Sequence, residues 1–149
     1  MAETPNTKTY DLEDRTFGFA QQVRAFVRLL PRTQGNNNDA KQLIRASGSV
    51  GANYIEANEA LSKKDFLMRM KISRKEAKEA RYWLRLLDLG AGGELGRERE
   101  LLVREASELL SIFSAIVSKT EQRAPFLTLE LGACLIFGIW NLRLLRDGA

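Results

Sequence analysis

The chain has 149 residues, which corresponds to one ordinary domain or to one domain with a tail. With 44% hydrophobic and 28% charged residues the composition is globular, and the net charge of +4 mildly favours an acidic partner. Histidine is absent and Cys134 is the sole cysteine, which removes histidine-dependent nucleophiles, histidine and zinc metal sites, and internal disulfides. We therefore expect no cofactor, no metal and no enzymatic activity.

The polar N-terminal residues 1–14 predict a flexible terminus that is neither a secretory signal nor a transit peptide. The most apolar stretch, residues 126–145, is interrupted by Glu130, Asn141 and Arg143. Its longest uncharged run would cover only about 18 Å as a helix, short of a ~30 Å hydrocarbon core. We therefore expect a cytoplasmic protein without a membrane span.

Apolar spacing predicts four helices within residues 15–122. Pro31 ends the first helix, a polar loop of residues 34–38 precedes the second, Ser62 is an N-cap for the third, and residues 91–93 separate the third from the fourth. The predicted bounds are about Thr16–Leu30, Asp39–Leu61, Ser62–Leu89 and Gly96–Lys119. Short connections and one apolar stripe per helix predict an all-α, antiparallel up-down-up-down four-helix bundle.

Each predicted helix has an inward face that follows from its period of 3.6 residues. In the first helix these positions are Phe17, Ala20, Val23, Val27 and Leu30. In the third they are Phe66, Met70, Ser73, Ala77, Ala80, Leu84 and Leu87. In the fourth they are Leu102, Ala106, Leu109, Leu110, Phe113, Ile116 and Val117.

Residues 123–149 form an apolar C-terminal extension. Residues 127–131 alternate between apolar and polar side chains, which is a strand period, whereas residues 133–140 are continuously apolar apart from Gly138. The pattern leaves open an extra strand or helix packed on the bundle, a contact with another subunit, or a poorly ordered tail.

The second helix contains Gly48 and Gly51, each of which costs a helix roughly 1 kcal/mol relative to alanine. A strip of small residues lies beside them: Ala46, Ser49, Asn53, Ala57 and Ala60. We interpret this pattern as close packing with a neighbouring helix and expect Asn53 to hydrogen-bond across the contact. A phosphate-binding loop is disfavoured because neither a preceding strand nor a Gly-Lys-Ser/Thr ending is present.

The third helix carries the excess positive charge. Residues 62–89 include nine basic and four acidic side chains. Seven of the cations and one tyrosine fall within an arc of about 120°. We predict that this face binds nucleic acid electrostatically, with these candidate residues: Lys64, Lys71, Arg74, Lys75, Lys78, Arg81, Tyr82 and Arg85. The alternative that stays open is an ordinary solvated surface.

A further sector of the third helix exposes more apolar surface than an isolated bundle needs. Its apolar members are Met68, Ile72, Trp83 and Leu86, and its acids are Asp65, Glu76 and Glu79. We predict a subunit interface at the four apolar residues, and we expect the acids to meet cations of a neighbouring copy.

Three motifs of the chain, taken together, resemble those of a known family. They are SVGANY at residues 49–54, SKKDF at residues 62–66 and YWL at residues 82–84. The chain resembles, over about residues 17–119, the bacterial four-helix-bundle family encoded in intervening sequences of large-subunit ribosomal RNA genes. Residues 124–149 are an addition to the usual extent of that family.

The resemblance implies a ring-like homopentamer with no established enzymatic activity. A related branch serves as the accessory subunit of diversity-generating retroelement reverse transcriptases. The family's recurring residues correspond to Ser49, Asn53, Glu56, Phe66, Glu76 and Trp83, and the resemblance implies an architectural role for them.

Two functions follow as hypotheses. The first is a non-catalytic homo-oligomer that binds structured RNA or DNA through the basic face of the third helix. The alternative is a protein-interaction scaffold or accessory subunit, for example of a reverse transcriptase, without intrinsic nucleic-acid specificity.

Overall fold

The computed structural model describes residues 11–91 and 93–122, which form four α-helices. Their bounds are α1, Leu12–Arg28; α2, Gln34–Asn58; α3, Lys63–Leu86; and α4, Gly93–Gln122. Each helix packs against the next in the chain, and α1 also packs against α4, so the bundle is closed. The short connections make neighbouring helices antiparallel. The all-α four-helix bundle is therefore confirmed. The predicted flexible terminus, residues 1–14, is wrong at residues 12–14, which belong to α1; residues 1–10 and the extension at residues 123–149 lie outside the described residues.

The helices begin at side-chain caps that the local sequence supplies. Asp11 accepts a hydrogen bond from the backbone N–H of Glu13 at 2.9 Å, so α1 begins before the expected Thr16. Ser62 accepts from the N–H of Asp65 at 3.1 Å and caps α3 as predicted. Both oxygens satisfy N–H groups that have no partner inside a helix.

The predicted polar loop at residues 34–38 is wrong, because these residues form the first turn and a half of α2. Thr33 caps this turn by accepting from the N–H of Asn36 at 3.1 Å. The buried Asn36 side chain donates to the carbonyls of Pro31 at 2.9 Å and Asp88 at 2.8 Å, and accepts from the Asp88 N–H at 3.0 Å. These bonds join the α1–α2 and α3–α4 connections, so contacts distant in sequence override the turn-forming preference of an asparagine-rich segment.

The predicted inward faces of α3 and α4 are buried or half-buried throughout. In α1, however, Phe17 is 62% exposed, and Phe19 and Phe26 occupy the core instead. The stripe of α1 is therefore rotated from the predicted one, because it is centred on Phe19, Val23 and Phe26. The largest side chains in the centre of the bundle are Phe19, Phe26, Leu43, Met70, Leu84, Leu109 and Phe113.

Gly51 of α2 allows α1 to approach closely. A Cβ added at Gly51 would lie 3.0 Å from the Thr16 Oγ1 atom, a distance that real Cβ atoms rarely tolerate. This close approach lies on a different face of α2 from the predicted strip of small residues. The predicted partner of Asn53 is wrong, since Asn53 donates to the Ser49 carbonyl at 2.9 Å within α2. A buried hydrogen bond does cross from α3 to α2, donated by Ser73 Oγ to the Val50 carbonyl at 3.1 Å.

Candidate nucleic-acid interface on the third helix

The predicted basic face forms an exposed stripe along α3. Its cations Lys64, Lys71, Lys75, Lys78 and Arg85 are all exposed. Successive residues of an α-helix advance by about 1.5 Å, so the stripe from residue 64 to residue 85 is roughly 30 Å long. We refer to these five cations together with Tyr82 as the basic stripe.

Tyr82 is the aromatic member of the basic stripe and is 57% exposed. Its ring packs edge-on against Trp83, with centroids 5.1 Å apart and an interplanar angle of 77°. Trp83 is held in turn by a hydrogen bond from Nε1 to Glu79 Oε1 at 3.3 Å. The contact with Trp83 therefore holds the Tyr82 ring in place. The exposed ring lies between cations, an arrangement suited to stacking against a base.

Most cations of the basic stripe have no acidic partner. Within the described part of the chain, no carboxylate lies within 4.0 Å of Lys64, Lys75, Lys78 or Arg85. Among the described residues these four cations therefore have no acidic partner, and a bound polyanion would displace the counterions that accompany them.

Lys71 differs from its neighbours because it is paired with α4. Its Nζ atom lies 2.7 Å from Glu121 Oε1. This hydrogen bond, together with the charges of Lys71 and Arg74, holds the pKa of the Glu121 carboxyl below its ordinary value. Lys71 consequently contributes less free charge to the surface than the sequence pattern indicates.

Arg74 and Arg81 lie at the edge of the predicted arc, on the side of α3 that faces α4. Both are half-buried, and Arg81 donates a long hydrogen bond to Ser107 Oγ at 3.5 Å. The structure therefore separates these two arginines from the fully exposed stripe, although all eight candidate residues share one helix.

The predicted interface residues form two patches rather than one continuous surface. Met68 and Ile72 lie in the N-terminal half of α3, and Trp83 and Leu86 lie in its last turns. Met68 and Leu86 are each 49% exposed, whereas Ile72 and Trp83 are half-buried and Trp83 packs against the core. A role for all four in subunit contact stays a prediction.

Glu76 and Glu79 of the same sector lie close to a cation of their own chain, so the expectation that they meet cations of a neighbouring copy is wrong. Glu79 pairs with Arg45 of α2, and Glu76 lies 3.8 Å from the same guanidinium. Sequence reasoning missed Arg45, because its acidic partners lie more than thirty residues further along the chain.

A second group of charges connects α2 and α3 in the same way. Arg69 of α3 pairs with Glu56 of α2 and lies 3.9 Å from Asp65 of its own helix. These exposed pairs join α2 to α3, and Glu56 takes part in one of them.

The described residues offer neither a metal centre nor a membrane span. Within residues 11–91 and 93–122, no three carboxylate, thiol or imidazole side chains come together in a way that would hold a metal ion. In the same two ranges, no helix combines the length and the apolar character needed to cross a membrane.

Comparisons with known proteins find one matching family model and a solved structure with a similar fold. The model of the 23S rRNA-intervening sequence protein family matches residues 8–92. The chain is also similar to a crystal structure from Bacteroides thetaiotaomicron VPI-5482, described as a protein with unknown function from the S23 ribosomal protein family. The two share 29% sequence identity with a TM-score of 0.62, over 71% of this chain and 97% of the other. No curated protein matches the sequence.

Proposed function

This chain belongs to the 23S rRNA-intervening sequence protein family, and from that membership and the surface of α3 we propose that it is a non-catalytic homo-oligomer that binds structured RNA or DNA. Binding is electrostatic and uses the basic stripe. The family name supplies the first nucleic acid to test, a structured segment of 23S rRNA.

The observation that carries this proposal is the line of exposed cations without acidic partners. Within residues 11–91 and 93–122, no carboxylate pairs with Lys64, Lys75, Lys78 or Arg85 over roughly 30 Å, and a phosphate backbone presents its charges in a comparable linear array. Each phosphate contact releases a condensed counterion, so binding weakens steeply as salt is added. Tyr82 adds a stacking surface that tolerates any base sequence.

Oligomerisation is the second part of the proposal. Large apolar side chains are exposed on several faces, namely Phe17, Leu29, Ile55, Leu61, Leu86 and Leu101. Subunit contacts would remove such surface from water. A closed ring, pentameric as the family resemblance implies, would repeat the basic stripe around an axis and increase affinity through multivalency.

A second candidate function is that of an accessory subunit for a protein partner such as a reverse transcriptase. It is favoured by the position of Met68 and Leu86, which flank the basic stripe and are half exposed. Apolar side chains beside cations suit a partner that presents both protein and nucleic acid. A pull-down from the native host distinguishes the two candidates, because a protein partner persists after nuclease treatment and a nucleic-acid bridge does not.

The proposal is tested with the triple substitution Lys64→Gln, Lys75→Gln and Lys78→Gln, measured by fluorescence anisotropy on a labelled 23S rRNA hairpin across a salt series. Lys71 is left unchanged because Glu121 already pairs with it. We expect the slope of log affinity against log salt to decrease by about two units.

The matched control changes the net charge equally on other faces, through Arg28→Gln, Lys41→Gln and Arg104→Gln. All three positions are exposed, on α1, α2 and α4. This control should keep the wild-type slope. An equal decrease of the slope in the two variants would show that only net charge matters. An unchanged slope in the stripe variant would exclude the stripe as the binding surface.

A further inference from the structure

The N-terminal half of α3 carries an apolar depression bordered by lysines. Its apolar lining, which we call the floor, consists of Leu67, Met68 and Ile72, and its charged lining consists of Lys63, Lys64, Asp65, Lys71 and Lys75. Met68 is 49% exposed, whereas Leu67 and Ile72 are half-buried. In the described part of the chain this apolar surface is left open to solvent.

The end of α4 lies beside this depression. Glu121, the penultimate residue of α4, is in contact with the Lys71 ammonium group at 2.7 Å, and Lys71 is one of the bordering lysines. Packed helix axes are about 8–10 Å apart, and the three residues 123–125 span about 10 Å when extended. Residues from Phe126 onward can therefore reach the depression directly.

The chain that follows α4 contains enough apolar side chains to cover an apolar surface. Residues 126–145 include twelve large apolar side chains, counting Phe, Leu, Ile and Trp, and two charged ones, Glu130 and Arg143. The carboxylate, Glu130, is the fifth residue of this segment.

We propose that residues 126–145 of each chain dock into the depression on α3 of the same chain. The covalent connection gives the segment an effective concentration in the millimolar range at this surface, above that of an unattached chain in solution. Docking buries the floor residues, and Glu130 compensates the bordering lysines. The ammonium groups of Lys64 and Lys75 can remain at the rim in water, since long stems bury while their charged ends stay solvated.

This inference does not require nucleic acid, so its test uses the full-length protein alone. The photo-crosslinking residue benzoylphenylalanine is incorporated at Met68, and in two controls at Phe17 or Leu101. These controls are apolar positions, each 62% exposed, on α1 and α4. Light and heavy isotope-labelled chains are mixed in equal amounts while denatured and are then refolded together, so that any oligomer contains both. After irradiation, mass spectrometry identifies the captured peptides.

We expect the Met68 probe to capture residues 126–145 about tenfold more than either control, with the captured peptide from the same molecule. Mixed light–heavy products would assign the depression to a second copy and overturn the proposal. Equal capture at all three positions, or none, would also overturn it.

A second probe, placed within residues 126–145, controls for any disturbance of α3 by the probe at Met68. Benzoylphenylalanine at Phe137 is a conservative replacement within the segment and leaves the bundle unmodified. It should capture residues 65–74 of α3. Capture of the groove between α1 and α2, which contains Phe17 and Ile55, would contradict the assignment.

Discussion

Gly51→Ala and Gly48→Ala should change stability in opposite directions, although both replace a glycine inside α2. Alanine is favoured over glycine in a helix by about 1 kcal/mol, so each substitution begins with a similar gain. At Gly48 the new Cβ would meet the Arg24 guanidinium at 3.5 Å, and that group is the mobile end of an exposed side chain. Gly48→Ala should therefore raise the free energy of unfolding by about 0.5–1 kcal/mol.

At Gly51 the same methyl group meets a fixed neighbour. It would lie 3.0 Å from Thr16 Oγ1 and 3.4 Å from Thr16 Cβ, and Thr16 is 1% exposed. Rotating the hydroxyl away would break its hydrogen bond to the Glu13 carbonyl at 2.9 Å. Overpacking of this kind costs typically 1–3 kcal/mol, so Gly51→Ala should lower the free energy of unfolding by about 0–2 kcal/mol in net terms.

Urea titrations monitored by circular dichroism, at one fixed protein concentration, measure both variants. The double-mutant cycle with Thr16→Ala isolates the contact, because in that background the methyl group has room. Gly51→Ala should there become stabilising by about 1 kcal/mol, with a coupling of about 1–3 kcal/mol. Equal stabilisation by Gly48→Ala and Gly51→Ala in the wild-type background would refute the close contact between α1 and α2.

Three further predictions concern polar contacts. Asn36→Ala removes the side chain that bonds Asp88 on both its N–H and carbonyl, and should cost about 2–3 kcal/mol in urea titration. Arg15→Leu removes a two-pronged pair with α4 at 2.6 and 2.8 Å and should cost about 1–2 kcal/mol, with partial recovery in Arg15→Lys. Because the folded-state pKa of Glu121 is lowered, its pair with Lys71 stabilises the fold above the ordinary pKa and ceases to do so as the pH falls through the folded-state pKa. Lys71→Gln should raise that pKa in an NMR titration, and an unchanged value would exclude the pair.

The fold was predictable from sequence wherever local signals and periodicity agreed. In α3 the Ser62 cap and the regular spacing of Met70, Ala77 and Leu84 specify both the start of the helix and its buried face. In α1 the signal is ambiguous, since Phe17 and Phe19 flank Gly18 and either can begin an apolar stripe. Packing against the other helices decides in favour of Phe19, and such contacts cannot be read from one helix alone.

The sequence predicts which face of α3 carries the candidate site, but not which of its cations are paired. Periodicity places the basic residues of α3 on one side, and the exposed stripe follows from it. The pairing of Lys71 with Glu121, and of Arg45 with Glu79, joins residues far apart in sequence. Such partners depend on how the helices are brought together, so the sequence could not indicate which cations remain unpaired.

Light scattering on the full-length protein, alone and with a structured 23S rRNA segment at low and high salt, tests the central proposal most directly. We predict a particle whose mass is a multiple of the 16.8 kDa chain and which binds RNA at low salt and releases it at high salt. A monomer of 16.8 kDa would contradict the oligomeric part of the proposal. An oligomer that does not bind RNA at low salt would contradict the role of the basic stripe and favour a protein partner.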